Sequence, residues 1–382
     1  MSNLDPVIDL AVKLIRFPSV TPDSAGSVEF LEDLFQKEGF SCFRRDFDSD
    51  EYKRPVSNLY AYRGTEGPNI CFAGHLDVVP PGNLSDWHFA PFDAVIEGDV
   101  LHGRGTVDMK GSIACSIDAA LAFIRANPDR RVSFLMTTDE EGVAHDGVKR
   151  MLDELEKYNH KLDFAIFGEP TCKEKVGEVI AVGRRGSINF VLTCDGKQGH
   201  IAYPDSFVNP VEQVVEIAKN LKEIKLDDVK DKFSASVLNI TSIDVGNKVT
   251  NLIPARAEIR FNIRFNKVLS ESKIVALVSE AARKVTDNFS MSYECSALPF
   301  LSEEDDFIRA FAKVSKKITS ISPKFVTGGA TSDARFVSKC CPCIEFGLHY
   351  NRAHQVDEQV GLEDIKKLRD VYKGFLFETL SL

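Results

Sequence analysis

Histidines and carboxylates that close short apolar runs carry the chemistry open to this sequence. The first group is Ala73-Gly74-His75-Leu76-Asp77-Val78-Val79-Pro80, directly after the apolar run Asn69 to Ala73. In an extended chain, positions two apart point the same way, so Asp77 can reach the ring of His75. A carboxylate there fixes the tautomer of a metal-bound imidazole and raises its basicity. An ordinary surface turn could carry the same two residues. The second group, Gly103-Arg104-Gly105-Thr106-Val107-Asp108-Met109-Lys110-Gly111, opens a helix. It has neither the Gly-x-Gly-x-x-Gly of dinucleotide sites nor the spacing of a P-loop. Asp108 is therefore either a helix cap or a metal ligand that glycine lets the backbone approach.

Two further groups end apolar strands. In Thr137-Thr138-Asp139-Glu140-Glu141-Gly142, consecutive side chains diverge, so one glutamate can bind a metal while its neighbour faces a reacting water. In Phe167-Gly168-Glu169-Pro170-Thr171, Pro170 biases Glu169 toward an extended conformation that aims its carboxylate outward. The last group, Ala353-His354-Gln355-Val356-Asp357-Glu358, contributes His354, with His349 competing for the same role. Together, His75, Asp108, Glu141, Glu169 and His354 give mixed nitrogen and oxygen ligation suited to zinc, with a carboxylate left over to bridge two ions.

Elements of two kinds must position these residues. Up to Gly183 the chain alternates candidate strands, at Asn58 to Tyr62, Asn69 to Ala73, Arg131 to Thr137 and Asp163 to Phe167, with helical patterns at Gly111 to Ala126 and Gly147 to Tyr158, as an α/β layer does. An N-terminal helix starts at Asp5-Pro6 and places Val7, Leu10, Ala11, Leu14 and Ile15 on one face. From Arg184 to Ser296 the order becomes β-α-β-β-α-β, that of a ferredoxin-like unit. Its clearest strand alternates Ala257, Ile259, Phe261, Ile263 and Phe265 with Arg256, Glu258, Arg260, Asn262 and Arg264. Helical patterns at Pro210 to Ile224 and Glu271 to Val285 cover its apolar face. The α/β rhythm then returns, with helices at Asp305 to Ile318 and Glu363 to Phe377. The expected organisation is thus a first part of one domain at 1–183, an inserted α+β domain at 184–296, and the second part at 297–382.

Bulk properties narrow the classes. The chain has 382 residues, 43% hydrophobic and 27% charged, and 47 basic against 57 acidic residues give a net charge of -10. That balance disfavours nucleic acid and anionic membranes as partners. Neither a signal peptide, nor a transit peptide, nor a membrane span is expected, and nine cysteines without framework spacing fit reduced thiols in a cytoplasm. Cys340-Cys341-Pro342-Cys343 reads as buried strand rather than a metal or redox motif, since no second CxxC completes it.

The motifs quoted above, together with Gly199-His200-Ile201-Ala202-Tyr203-Pro204, resemble those of the dizinc aminoacylase and carboxypeptidase metallohydrolase superfamily. Within it, Gly183-Arg184-Arg185-Gly186-Ser187 and Lys197-Gln198-Gly199-His200 are most similar to the N-succinyl-L,L-diaminopimelate desuccinylases of bacterial lysine and cell-wall precursor synthesis. The resemblance runs from the first helix to the last. It implies a zinc-peptidase-like mixed sheet flanked by helices, with the insert serving as lid and dimerisation domain of a homodimer. It implies two zinc ions per subunit, replaceable by cobalt: His75 and Glu169 on one, Glu141 and His354 on the other, and Asp108 between them. Glu140 is then the general base, Asp77 joins it as a catalytic residue, and the Asp108-Met109 peptide is cis. For a small substrate with several carboxylates, the resemblance assigns contacts to Arg184, Asn251, Arg264, Tyr203, Thr331, Ser332 and Arg335, and has His200 reach from the partner subunit. Other N-acyl amino acid deacylases and carboxypeptidases share the zinc site. A catalytically silent metal-binding scaffold would be expected to lack the base, and Glu140 is present. Two departures from the family pattern are an extra alanine at Ala330 and Phe346-Gly347-Leu348-His349-Tyr350 before the last histidine.

Overall fold

A computed structural model of the chain describes residues 4–229, 235–303, 305–328 and 331–380. Gly329 and the extra Ala330 lie outside the described residues. The chain divides into two compact units, one of Met1–Gly183, Leu301–Val326 and Ser332–Leu382, the other of Arg184–Phe300 and Thr327–Thr331.

The first unit is organised by a mixed sheet. Its strands run in the order Ser41–Asp48, Pro55–Arg63, Arg130–Thr137, Glu66–His75, Phe164–Phe167, Cys343–Glu345, Val179–Arg184 and Phe300–Leu301, and Lys324–Gly328 also pairs with Val179–Arg184. The central strands are apolar because both of their faces are covered; Phe164–Phe167 is buried at every position. Glu66–His75 lies parallel to Arg130–Thr137, with His75 opposite Thr137, and parallel to Phe164–Phe167, with Ala73 opposite Phe167. Cys343–Glu345 continues the parallel set, Glu345 opposite Phe167. Four parallel strands therefore end level with one another, and the loops after His75, Thr137, Phe167 and Glu345 leave the sheet along one edge.

Helices cover the faces. Pro6–Ile15 starts where expected, with the Asp5 carboxylate accepting the Val7 N–H at 3.1 Å and Pro6 in the first turn. The helix Lys110–Ala126 is buried along most of its length and packs with Leu362–Leu380. Phe35 and Phe72 both stack on Phe134, at ring centroid distances of 4.6 and 5.8 Å. Each such fully buried ring contributes about 1.5–3 kcal/mol from lost water contact. Cys341 and Cys343 are buried and Cys340 is exposed; all nine cysteines are free thiols.

The second unit has a four-stranded antiparallel sheet in the order Val237–Asp244, Arg256–Phe265, Gly186–Asp195, Phe289–Ala297. With the helices Pro210–Glu223 and Glu271–Arg283, this is the β-α-β-β-α-β succession of a ferredoxin-like fold. Along Arg256–Phe265, Ala257, Ile259, Phe261, Ile263 and Phe265 are buried in a separate core with Val214, Ile217, Ile274 and Val278.

Candidate metal centre

The site is built at the common edge of the parallel strands. His75 is the last residue of its strand, Glu140 and Glu141 follow Thr137 by a short turn, and Glu169 lies two residues after Phe167. Asp108 arrives from the other side, just before the helix Lys110–Ala126, and the Asp108-Met109 peptide is cis. Gly74 and Gly168, which precede ligand candidates on neighbouring strands, make room for Met109. A Cβ on Gly74 would stand 2.3 Å from the Met109 methyl, and one on Gly168 would stand 2.9 Å from it. The glycines in these two motifs thus let the Asp108 loop close onto the sheet.

Asp108 is the centre of the arrangement. Its Oδ1 is 3.2 Å from His75 Nε2, which is in turn 3.9 Å from Glu169 Oε1. Its Oδ2 is 3.3 Å from His354 Nε2, which lies 2.9 Å from Glu141 Oε1. One carboxylate therefore faces an imidazole and a glutamate on each of its two oxygens. Ligand atoms of His75, Asp108 and Glu141 all lie within 4.8 Å of one another. His349, the competing histidine, is turned away, its Nε2 3.1 Å from Asp364 and its Nδ1 3.3 Å from the Lys173 carbonyl.

Asp77 differs from the sequence expectation. His75 Nδ1 meets the backbone carbonyl of Asp77 at 2.9 Å, while the nearer carboxylate oxygen is 3.7 Å away. The carbonyl orients the ring and leaves Nε2 for the metal side. The Asp77 carboxylate instead accepts the Glu141 N–H at 3.1 Å, the Glu140 N–H at 3.4 Å and the Thr21 hydroxyl at 2.5 Å. Where the chain bends from strand into turn, the Asp77 carbonyl comes closer to the ring than the Asp77 carboxylate does. Asp77 thus sets the backbone that carries Glu140 and Glu141. Tyr52 holds the other side of this turn, donating to Asp139 at 2.7 Å and accepting from Val143 N–H at 2.8 Å. Thr21 and Tyr52 escaped the sequence reading because each sits far along the chain from the motif it supports.

The electrostatics fit a cationic guest. Burial lowers the affinity of His75 for a proton, but the hydrogen bond to Asp108 and the charges of Glu140, Glu169 and Asp77 outweigh it and raise its pKa well above the imidazole range. Hydrogen bonds to Asp108 and Glu141 push His354 up to about 10. Burial pushes the Asp108 carboxyl up, and the hydrogen bonds from His354 and His75 reverse this and hold it below the usual range. Burial, then the charge of Glu169, raises Glu140 well above an ordinary glutamate. So many carboxylates around two imidazoles favour added positive charge, which divalent ions on oxygen and imidazole donors would supply.

The remaining candidates are scattered over the second unit, except Ser332 and Arg335. Arg184 is nearly buried, its side chain packed against Gly328. His200, Tyr203 and Asn251 are exposed; His200 Nδ1 accepts the Ala202 N–H at 3.1 Å, and the Asn251 carbonyl accepts the Ile201 N–H at 3.2 Å. Arg264 is half-buried and donates to Asn262 Oδ1 at 3.1 Å. Thr331 is partly buried, Ser332 donates to the buried Glu345 in the first unit, and Arg335 donates to the Ser332 carbonyl at 3.0 Å. A cavity of about 610 Å³ between Val148–Lys157 and Phe336 to Cys340 is lined by none of these residues, so donor atoms rather than concavity define the site.

Residues 71–378 match peptidase family M20/M25/M40. The chain belongs to this family. It is 45% identical over 376 residues to a succinyl-diaminopimelate desuccinylase of Rickettsia bellii (strain RML369-C), covering 97% of this chain and 95% of that one. A succinyl-diaminopimelate desuccinylase of Orientia tsutsugamushi (strain Boryong) is 43% identical over 372 residues, covering 97% and 95%. Among solved structures, an M20 family metallo-carboxypeptidase from Sulfolobus solfataricus superposes with a TM-score of 0.79 at 17% identity, covering 98% of this chain and 99% of that one. The M20 fold of this chain accordingly comprises the mixed sheet with its helices and the separate small antiparallel sheet. His75, Asp108 and Glu141 form the candidate metal site of an M20 metallohydrolase.

Proposed function

We propose that the chain hydrolyses the amide bond of N-succinyl-L,L-2,6-diaminopimelate to succinate and L,L-2,6-diaminopimelate, a step in diaminopimelate and lysine synthesis. The observation that carries this is 45% identity to a succinyl-diaminopimelate desuccinylase along 97% of the chain. The geometry agrees with the chemistry. His75 and Glu169 would hold one zinc, His354 and Glu141 the other, and Asp108 would serve both. Bound there, the ions would make water more acidic and polarise the amide carbonyl.

The protein's own residues do the rest. Glu140 adjoins Glu141 but is not needed as a ligand, and burial makes its carboxylate a stronger base than an exposed glutamate. It takes the proton of the attacking water and returns it to the departing amine. Asp77, through the Glu140 and Glu141 N–H groups, holds that base in register with the ligands. Arg184 and Arg264 offer guanidinium forks, and Asn251, Tyr203 and Thr331 offer polar contacts, suited to a substrate with several carboxylates, while Ser332 would contribute only if its hydroxyl left Glu345. In a homodimer built through the inserted unit, His200 of one subunit would stabilise the oxyanion formed in the other. Light scattering in solution tests the dimer.

The deciding experiment is turnover by zinc-reconstituted protein of N-succinyl-L,L-diaminopimelate beside N-acetylornithine. Faster hydrolysis of the succinylated compound is expected. Preference for acetylornithine would move the chain to a neighbouring activity on the same metal site.

A further inference from the structure

The loop that carries His354 has two residues in the left-handed region. His354 has φ +63° and Asp357 φ +56°, and neither is glycine. Histidine and aspartate enter the left-handed region more readily than most side chains, but two such positions within four residues still cost energy that contacts elsewhere in the loop must offset. Packing on the His354 side chain does not offset it, since that side chain is 51% exposed.

What ties the loop down is Glu358, four residues on. Its carboxylate is completely buried. Oε2 accepts from Arg104 Nη1 at 2.7 Å, and Oε1 accepts the N–H of Val107 at 2.9 Å and that of Asp108 at 3.3 Å. The connections run both ways. Arg104 Nη1 also reaches the Gln355 carbonyl at 3.2 Å, the Gly103 N–H donates to the Glu358 carbonyl at 2.9 Å, and the His88 N–H donates to the Asp357 carboxylate at 2.7 Å. Beyond Glu358 the strand Gln359–Gly361 pairs with Val100–His102, which leads into the Asp108 loop. Residues 103–108 and 354–358 thus share one buried ion pair, with Asp108 in one segment and His354 in the other. His75 and Glu169 need no such device, because adjacent parallel strands place them.

We propose that the Arg104–Glu358 pair is a positioning clamp that sets His354 against Asp108, and so governs the metal position shared by His354 and Glu141 rather than that of His75 and Glu169. The clamp rests on the two-ion reading above. Glu358 touches neither ion nor substrate; it acts through the Asp108 N–H and the His354 backbone.

A buried pair that served stability alone would leave both metal positions intact in folded protein, or weaken both alike. The test therefore measures each position separately. Metal-stripped full-length protein, its folding checked by circular dichroism, is titrated with Zn²⁺ against a chromophoric chelator and with Co²⁺ by visible absorption. His354→Ala identifies which equivalent belongs to the His354 position. Glu358→Ala leaves Arg104 buried and unpaired and can unfold the chain, so Arg104→Met with Glu358→Met removes both charges at similar volume. In whichever variant folds, the His354 equivalent is expected to weaken roughly 10- to 100-fold with an altered cobalt spectrum, and the other, which shares only Asp108 with the clamped segments, to weaken far less. Equal loss at both positions, or loss at neither, overturns the clamp. Uptake of a single equivalent by the wild-type chain would instead overturn the two-ion reading, and the clamp with it.

Discussion

In the first unit His75, Asp77 and Glu358 are fully buried, and Asp108 and Glu169 nearly so, whereas in the inserted unit His200, Tyr203 and Asn251 stand exposed. Level strand ends and buried carboxylates position His75, Asp108, Glu141 and Glu169. The inserted unit keeps an ordered core of its own but carries His200, Tyr203 and Asn251 on its surface. Buried charges act on each other at low dielectric, so removing one changes chemistry or stability; exposed ones act through water and change affinity. The first unit should therefore respond to substitution in kcat, metal content and stability, and the second, His200 apart, in KM.

The largest effect belongs to Glu140→Gln. Loss of the base should lower kcat by roughly 10²- to 10⁴-fold. Metal content, measured by atomic absorption, should stay at the wild-type level. Loss of metal together with activity would make Glu140 a ligand instead of a base.

Asp333 offers a pH test of the same buried region. Neither carboxylate oxygen accepts a hydrogen bond among the described residues, Arg335 stands 4.0 Å off, and burial raises the pKa from 3.8 to about 7. Between those values folding takes up a proton, so this group's contribution to stability falls as pH rises from about 4 to about 7 and stays low above that. In metal-stripped protein Asp333→Asn should match the wild type at about pH 4 and exceed it by a few kcal/mol at about pH 8, at about 1.4 kcal/mol per pH decade. Denaturant melts at the two pH values measure the difference. Equal stability at both would place the carboxylate in contact with water.

Asp77→Asn should do less. It keeps an acceptor but loses the charge that gathers the Thr21 hydroxyl and the Glu140 and Glu141 N–H groups. A loss of roughly 10- to 100-fold in kcat/KM or metal affinity is expected. An unchanged rate would mean that the Asp77 carbonyl, which this change leaves in place beside His75, is the only part of the residue that matters.

Legibility followed the same division. The buried parts of Glu66–His75 and Arg130–Thr137 were readable, as Asn69 to Ala73 and Arg131 to Thr137, because a stretch buried on both faces is apolar, and residues that end such runs are delivered to one edge. Arg256–Phe265 was readable from its strict alternation. The partner of the His75 ring was only half readable: spacing brought Asp77 close, but whether its carbonyl or carboxylate meets Nδ1 depends on how the strand bends. Glu358 was printed beside His354, yet its partner Arg104 lies 254 residues away, and no local pattern announces a pair that only the closed fold brings together.

The smallest effect, and the sharpest on the contrast between the units, is expected at Arg264. It lies on the polar face of Arg256–Phe265, half-buried, with Arg185 close enough for its charge to add to the effect of burial in lowering the Arg264 pKa. Two neighbouring guanidiniums make a natural seat for a carboxylate. Arg264→Gln removes one charge-assisted hydrogen bond, worth about 1.5 kcal/mol, and should raise KM roughly tenfold with kcat nearly unchanged. Steady-state kinetics on N-succinyl-L,L-diaminopimelate separate the two constants. A fall in kcat at constant KM would mean that Arg264 is felt only in the transition state, and the inserted unit would then act on the reaction through Arg264 as well as His200.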